Sequence, residues 1–172
     1  IERDSIKYTG LQSRYGSCAS IETYRGDHNA ILPHYCQQIR GKPYGLIYND
    51  PCGIPSFDAL ADVSRLPQAA HLDMLINCPA TAIKRARGAF KRAQYLIDGL
   101  DSIKKTNWLV RAPSGRWQWT ILVGTNWGKV QEWRAQHLYH LDSIEGQDIL
   151  RRLNLTSEEQ ERDNGQTTLP FL

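Results

Sequence analysis

Three residues directly after a short apolar run could position an amino group for chemistry. The run YGLIYND, from Tyr44 to Asp50, is typical of a buried strand, and Asn49, Asp50 and Pro51 stand at its end. Proline fixes its own φ and has no N–H donor, so an amide, a carboxylate and a free carbonyl would form a rigid rim there. Such a rim can accept both hydrogens of an exocyclic amine and direct its lone pair at an electrophile, as N-methylation of a base requires. The alternative is that Asn-Asp-Pro-x-Gly is simply a favourable turn.

A second polar group follows the segment Ser20–Gly26, which we predict to be a strand. Its residues are Gly26, Asp27, His28 and Asn29. Asp27 is equally suited to cap the helix that follows. Together, Asp27 and Asp50 at two strand ends would also suit a magnesium ion and phosphoester cleavage, although no third ligand is evident.

The hydrophobic periodicity predicts strands and helices in alternation, followed by a hairpin. Besides the two strands above, the pattern predicts helices at 27–39, 56–66, 81–100, 129–133 and 143–153, a buried strand at 72–78, hairpin strands at 107–113 and 116–127, and a short strand or loop at 138–141. Strands joined by helical crossovers are parallel, whereas the short connection APSG makes its two strands antiparallel. We therefore expect an α/β sheet of parallel strands with helices on both faces and a closing antiparallel hairpin.

Length and composition favour one globular domain. The chain has 172 residues, of which 41% are hydrophobic and 23% charged, and it begins with Ile1. We expect a single domain over residues 1–156, with an irregular segment at 1–19 and a polar tail at 157–172. No apolar run approaches the length of a membrane span, and no signal peptide is evident, so neither membrane insertion nor secretion is expected.

The cysteine spacing argues against a metal site. Cys18, Cys36, Cys52 and Cys78 form no C-x-x-C pair, and no histidines stand at metal-binding spacing. We therefore predict free, buried thiols in a reducing cytoplasm and no metal.

The positive charge is concentrated in the middle of the chain. Between Lys84 and Arg116 there are nine Lys and Arg residues against two Asp, although the whole chain carries only +3. The candidates for nucleic-acid binding are Lys84, Arg85, Arg87, Arg111 and Arg116. Trp117 and Trp119 could stack bases beside them. The alternative is a solvated helix face with tryptophans, above all Trp119 and Trp108, packed in the core.

Several segments resemble a known family. LIYNDPCGIPSFDALADV, HLDMLINCPATAIKR and the upstream RGDHNAIL resemble the three-Cys-motif partner protein family and its phage-borne relatives. These relatives belong to the class I methyltransferases, and NDP is similar to their amino-methyltransferase motif. The closing WLVRAPSGRWQWTILVGTNW suits the strand 6 and strand 7 hairpin of that fold. The resemblance, from about Ser20 to Leu155, implies a Rossmann-like N-methyltransferase that uses S-adenosylmethionine and acts on nucleic acid.

The resemblance also implies roles for single residues. Asn49, Asp50 and Pro51 would form the catalytic strand end, with Cys52 where many relatives have an aromatic residue or proline. A second set would lie near the cofactor: Gly26, Asp27 and Asn29.

The sequence departs from this family at its N-terminal side. Only about nineteen residues precede the first predicted strand, and Gly10 and Gly16 have no strand–loop–helix frame around them. We therefore expect a methyltransferase sheet that lacks its first two strands. The alternative function is a non-catalytic module of the same fold that binds nucleic acid or a protein partner.

Overall fold

The computed structural model describes most of the chain. The described residues are 1–51, 53–79, 92–113, 119–128, 130, 133–153, 155, 158–159, 162 and 165. All statements below concern these residues.

The N-terminal segment contains a helix, so the expectation of an irregular segment at 1–19 is wrong. Helix α1, Ser5–Tyr15, begins after Asp4, whose carboxylate accepts hydrogen bonds from the N–H groups of Ile6 and Lys7. This is an ordinary N-cap, because it satisfies two of the N–H groups that a first turn leaves unpaired. The helix buries none of its residues.

The predicted strand at Ser20–Gly26 is also wrong. This segment forms only an isolated parallel bridge, between Glu2 and Arg25. No neighbouring strand pairs with it further, and Ile21, which the alternation would place in a core, is 43% exposed. A strand needs a partner strand along its length, and the described part of the chain offers none to this segment. The alternation of residues within a segment does not indicate whether a partner strand is available.

Helix α2, His28–Gln38, follows directly. Asp27 caps it by accepting a hydrogen bond from the Asn29 N–H at 2.9 Å, so the capping interpretation of Asp27 is confirmed. Pro33 lies in the middle of this helix rather than in its first turn as expected, at the cost of one backbone hydrogen bond.

Five strands form one sheet in the order β1-β2-β4-β3-β5. The strands are β1 Gly45–Asn49, β2 Leu72–Cys78, β3 Asn107–Arg111, β4 Thr120–Thr125 and β5 Leu138–His140. The remaining helices are α3 Phe57–Ser64, α4 Arg92–Ser102 and α5 Ile144–Leu153, with short 3-10 turns at Pro67–His71 and Arg134–Gln136. The predicted helix at 81–100 is therefore described only from Arg92, and the predicted helix at 129–133 lies mostly outside the described residues.

The sheet is mixed rather than mainly parallel, which corrects part of the predicted fold. Only β1 and β2 pair in parallel, and the β2–β4, β4–β3 and β3–β5 pairs are antiparallel. The predicted antiparallel hairpin of β3 and β4 is confirmed. The hairpin pairs with β2 through β4. Strands β1, β2 and β3 therefore run in one direction, and β4 runs in the opposite direction between β2 and β3. The fold is α/β, as predicted, with this different balance of pairings.

One face of the sheet carries the core. Alternate residues of β2 are buried, Leu72, Met74, Ile76 and Cys78, together with Val110 and Leu122 from the neighbouring strands. Helices α3, α4 and α5 bury their apolar side chains in the same cluster. The opposite face is only partly covered, because Leu75, Ile121 and Val123 remain half-buried and Leu46 is exposed. Helices α3, α4 and α5 thus pack on one face of the sheet, whereas the sequence predicted helices on both faces.

Candidate functional site

The register of β1 and β2 brings two polar side chains together at their carboxyl ends. Asn49 pairs with Ile76 in this parallel ladder, so the next residues along the strands, Asp50 and Asn77, are neighbours. The Asn77 Nδ2 donates a hydrogen bond to Asp50 Oδ1 at 2.5 Å. Asp50 therefore lies at the strand end, as predicted, and a residue of the adjacent strand orients it.

Tyr48 lies beside this carboxylate. Residues two apart in a strand share a face, so Tyr48 lies on the same side of β1 as Asp50. Burial, followed by the negative charge of the nearby Asp50, raises the pKa of Tyr48 above its usual value. The Asp50 carboxylate is thus oriented by Asn77 and remains exposed to solvent.

Asn49 points the other way and is nearly buried. It is only 6% exposed, and within the described part of the chain its side chain makes no hydrogen bond. A primary amide offers two donors and a carbonyl acceptor. The amide atoms of Asn49 are not among the buried polar atoms without a partner, and Asn49 lines the cavity described next, so the amide is accessible to a ligand.

A cavity of about 450 Å³ lies between α2 and β1 and reaches these residues. Its apolar lining includes Leu32, Cys36, Ile39 and Ile47, and its polar lining includes His28, Tyr48, Asn49 and Asp50. Ligand cavities of small molecules have volumes of about 300–1,000 Å³ and combine an apolar lining with a few polar groups. The cavity has both properties.

His28 belongs to this cavity, which the sequence did not indicate. Its Nε2 is buried without a hydrogen-bond partner, and its Nδ1 lies 3.8 Å from the Asp27 carboxylate. In the sequence, His28 looked like an isolated histidine. The only local signal was its place as first residue of a helix behind an aspartate cap.

Comparison of the chain with protein-family models, curated proteins and solved structures finds no significant match.

The three residues predicted to contact the cofactor lie at the start of α2. Gly26 has a φ of 148°, a conformation that favours glycine, and Asp27 and Asn29 share the capping hydrogen bond. None of the three lines the cavity, and they do not stand at a strand end as predicted. Their cofactor role stays a prediction.

The cavity fits S-adenosylmethionine only in part. Its apolar lining could receive a flat ring, and Asp50 and Asn49 could accept hydrogen bonds. However, residues 1–44 hold two helices and a single isolated bridge. This segment therefore has no strand, glycine-rich loop and helix of the kind that the resemblance implies for the methionine part. The described residues do not fit the whole cofactor.

Of the basic residues and tryptophans predicted to bind nucleic acid, the structure describes only some. Arg111 ends β3, and it lines a small hollow together with Trp119, which is 46% exposed. Trp108 packs against the core, as the alternative interpretation had it, whereas the exposure of Trp119 contradicts that interpretation. Outside the described residues lie Lys84, Arg85, Arg87, Arg116, Trp117 and also Cys52.

The remaining predictions concern metal ligands, thiols and membrane-spanning helices. Among the described residues, no three His, Cys, Asp or Glu side chains come together as a metal site, and Asp27 does not line the cavity that Asp50 lines. Cys36 and Cys78 are free and buried, as predicted, whereas the free thiol of Cys18 is exposed and contradicts the prediction of burial. No helix in the described ranges has the length and apolar character needed to cross a bilayer.

Proposed function

We propose that the strand end of β1 binds the exocyclic amine of a nucleic-acid base, as the acceptor site of an amino-methyltransferase-like protein. The observation that carries this proposal is the Asp50 carboxylate, held by Asn77 at a cavity that the Asn49 side chain also lines.

The chemistry follows from the acceptors that remain. A carboxylate can accept about four hydrogen bonds, and Asn77 supplies one of them. One hydrogen of an amine can therefore go to the Asp50 carboxylate, and the Asp50 backbone carbonyl oxygen, which precedes Pro51, can take the other. Two acceptors on one NH₂ group fix its orientation, and orientation of a reacting atom is a major contribution to catalysis.

The path of the chain supports the resemblance on which this proposal draws. Strand β4 lies reversed between β2 and β3. The closing hairpin of the methyltransferase fold likewise inserts its last strand in reverse between two neighbours. The parallel pair β1–β2 places the polar residues at its carboxyl end, where open α/β sheets bind ligands.

A second candidate function is a non-catalytic module that binds a base without transferring a methyl group. The observation that favours it is the partial fit of the cofactor, because residues 1–44 contain helices where the resemblance implies a glycine-rich strand–loop–helix unit.

Two measurements separate these functions. One is a calorimetric titration of the protein with S-adenosylmethionine, and the other is the transfer of a radiolabelled methyl group to DNA and RNA. We expect Asp50→Asn to lower transfer by about 100-fold or more, because an orienting acceptor that acts on the reacting group is lost. The exposed Asp58 of α3 provides a matched control, and Asp58→Asn should leave transfer unchanged.

Either of two results contradicts catalysis at Asp50. Full transfer by the Asp50→Asn variant would remove Asp50 from the reaction. Absence of both cofactor binding and transfer in the unmodified protein, with a base analogue still bound, would favour the non-catalytic module.

A further inference from the structure

A row of aromatic side chains lies at the end of the sheet opposite Asp50. Tyr44 directly precedes β1, His71 directly precedes β2, and Trp127 follows β4. Because β1 and β2 run in parallel and β4 runs against β2, these three positions meet at one end of the sheet. The Tyr44 ring centroid is 5.0 Å from that of His71 and 6.3 Å from that of Trp127. We call these three residues the aromatic row.

The aromatic row is open to solvent. Tyr44 is 69% exposed and Trp127 is 57% exposed, whereas Trp108 in β3 packs against the core. Planes of neighbouring rings in the row differ by 37° and 31°, so their faces are roughly aligned. Exposed, aligned ring faces offer stacking positions for other planar groups.

The backbone around the aromatic row is held by side-chain amides. Asn107 Nδ2 donates to the Trp127 carbonyl oxygen at 2.7 Å, and Asn126 Nδ2 donates to the Ala70 carbonyl oxygen at 3.0 Å. The Thr106 N–H in turn donates to Asn126 Oδ1 at 2.9 Å. These bonds tie the segment after β4 to the segments before β2 and β3. The row is therefore positioned in advance, which lowers the entropy cost of binding.

Positive charge adjoins the aromatic row. An open hollow of about 360 Å³ is lined by Lys104, Lys105, Thr106 and Asn126, and Asn126 directly precedes Trp127 in the chain. The Lys105 Nζ donates to the Leu72 carbonyl oxygen at 2.6 Å, and burial lowers the pKa of Lys105 while the negative charge of Asp73 partly opposes this shift. Two further cations, Arg40 and Lys42, shortly precede Tyr44 in the chain. Lys42 is exposed.

We propose that the aromatic row binds single-stranded nucleic acid, with bases stacked on Tyr44 and Trp127 and phosphates contacted by Lys42 and Lys104. Aromatic faces combined with cations are the means by which proteins hold single strands without reading sequence. A partner without charge would use the rings but not the lysines. The row is far along the strands from Asp50, so it holds the strand and does not place the reacting base. The inference shares the class of partner with the proposed function but does not require methyl transfer.

Binding of a fluorescein-labelled oligothymidylate of twelve nucleotides, measured by anisotropy without S-adenosylmethionine, tests the proposal. We expect Trp127→Ala and Tyr44→Ala each to weaken binding by about 5- to 150-fold, as loss of one stacked base does. Trp127→Phe should retain most of the affinity. Lys104→Gln should reduce the slope of log K against log salt by about 0.7, the value for one phosphate contact on a single strand.

Trp133, which is 62% exposed, provides the matched control, because it bridges to Leu138 and lies away from the aromatic row. Trp133→Ala should bind like the unmodified protein, and circular dichroism melts establish that each variant is folded. An equal loss in Trp133→Ala and Trp127→Ala would overturn the proposal. So would the absence of oligothymidylate binding, or binding of the neutral oligosaccharide cellohexaose in its place.

Discussion

The residues of the candidate site show what a local sequence pattern can and cannot predict. Asp50 stands at the end of a strand because the apolar run before it and Pro51 after it define that end, and both are visible in the sequence. Its partner Asn77 becomes a neighbour only through the parallel register of β1 and β2. The orphaned Nε2 of His28 depends on how α2 packs beside β1. Contacts of this kind join distant parts of the chain, so no local pattern contains them.

At the same scale, the thiols differ in reactivity. Cys18 is exposed, and hydrogen bonds from Ser20 lower the pKa of its thiol, whereas burial raises the pKa of Cys78 to about 12. Burial also raises the pKa of Cys36. Since the thiolate is the nucleophile, we expect iodoacetamide at pH 8 to modify Cys18 first, and Cys36 and Cys78 only when the protein is unfolded in urea.

Peptide mapping by mass spectrometry measures this order. The Cys18 rate should rise as the pH approaches the pKa from below and then level off, because the thiolate fraction saturates. Modification of Cys78 in the native protein as fast as of Cys18 would contradict the burial of β2.

The elements were predictable where burial itself produces the sequence pattern. Strand β2 matches its predicted bounds because its apolar residues are its buried residues and Pro79 ends the run. Helix α5 begins where the predicted range 143–153 places it, and the Ser143 Oγ accepts the Gly146 N–H there at 3.1 Å. The segment Ser20–Gly26 has the composition of a strand but no partner, and α1 was missed because it buries no residue and so has no apolar face.

The contact between α3 and α4 gives a prediction for an element. Gly99 of α4 packs on Phe57, and a Cβ at Gly99 would lie 2.4 Å from the Phe57 ring, which is itself only 3% exposed. Overpacking costs about 1–3 kcal/mol, whereas Gly→Ala inside a helix gains about 0.5–1 kcal/mol. We expect Gly99→Ala to lower the free energy of unfolding by about 0.5–2 kcal/mol, measured by urea denaturation.

Gly10 of α1 is the matched control, because a Cβ there would meet no atom within 4 Å. Gly10→Ala should leave the urea midpoint unchanged or raise it. A midpoint for Gly99→Ala at or above that of the unmodified protein would show that α3 and α4 do not pack this closely.

At the scale of the whole molecule, the sequence indicated the α/β class but not the balance of strand directions. Crossover lengths predicted parallel neighbours, and APSG predicted an antiparallel hairpin. Which strand of the hairpin joins β2 is decided by packing between residues distant in the chain, such as Met74 and Gly124. The choice places β4 in the centre of the sheet and leaves β1 and β5 at its edges.

This arrangement predicts how stability is distributed through the molecule. Strands β2 and β4 each have a hydrogen-bonded neighbour on both sides, and Met74, Ile76 and Leu122 are fully buried. Helix α1, in contrast, buries no residue and is tied to the rest near its ends, by the Glu2–Arg25 bridge and the Gln12–Thr23 contact. Regions with few buried contacts open at low free energy, whereas central strands open only with global unfolding.

Native-state hydrogen exchange should therefore find the slowest amides in β2 and β4 and fast amides in α1. Adding urea should lower the protection of β2 and β4 with the slope of global unfolding, while that of α1 hardly changes. Protection of α1 equal to that of β2 would show that the helix belongs to the same cooperative unit as the sheet.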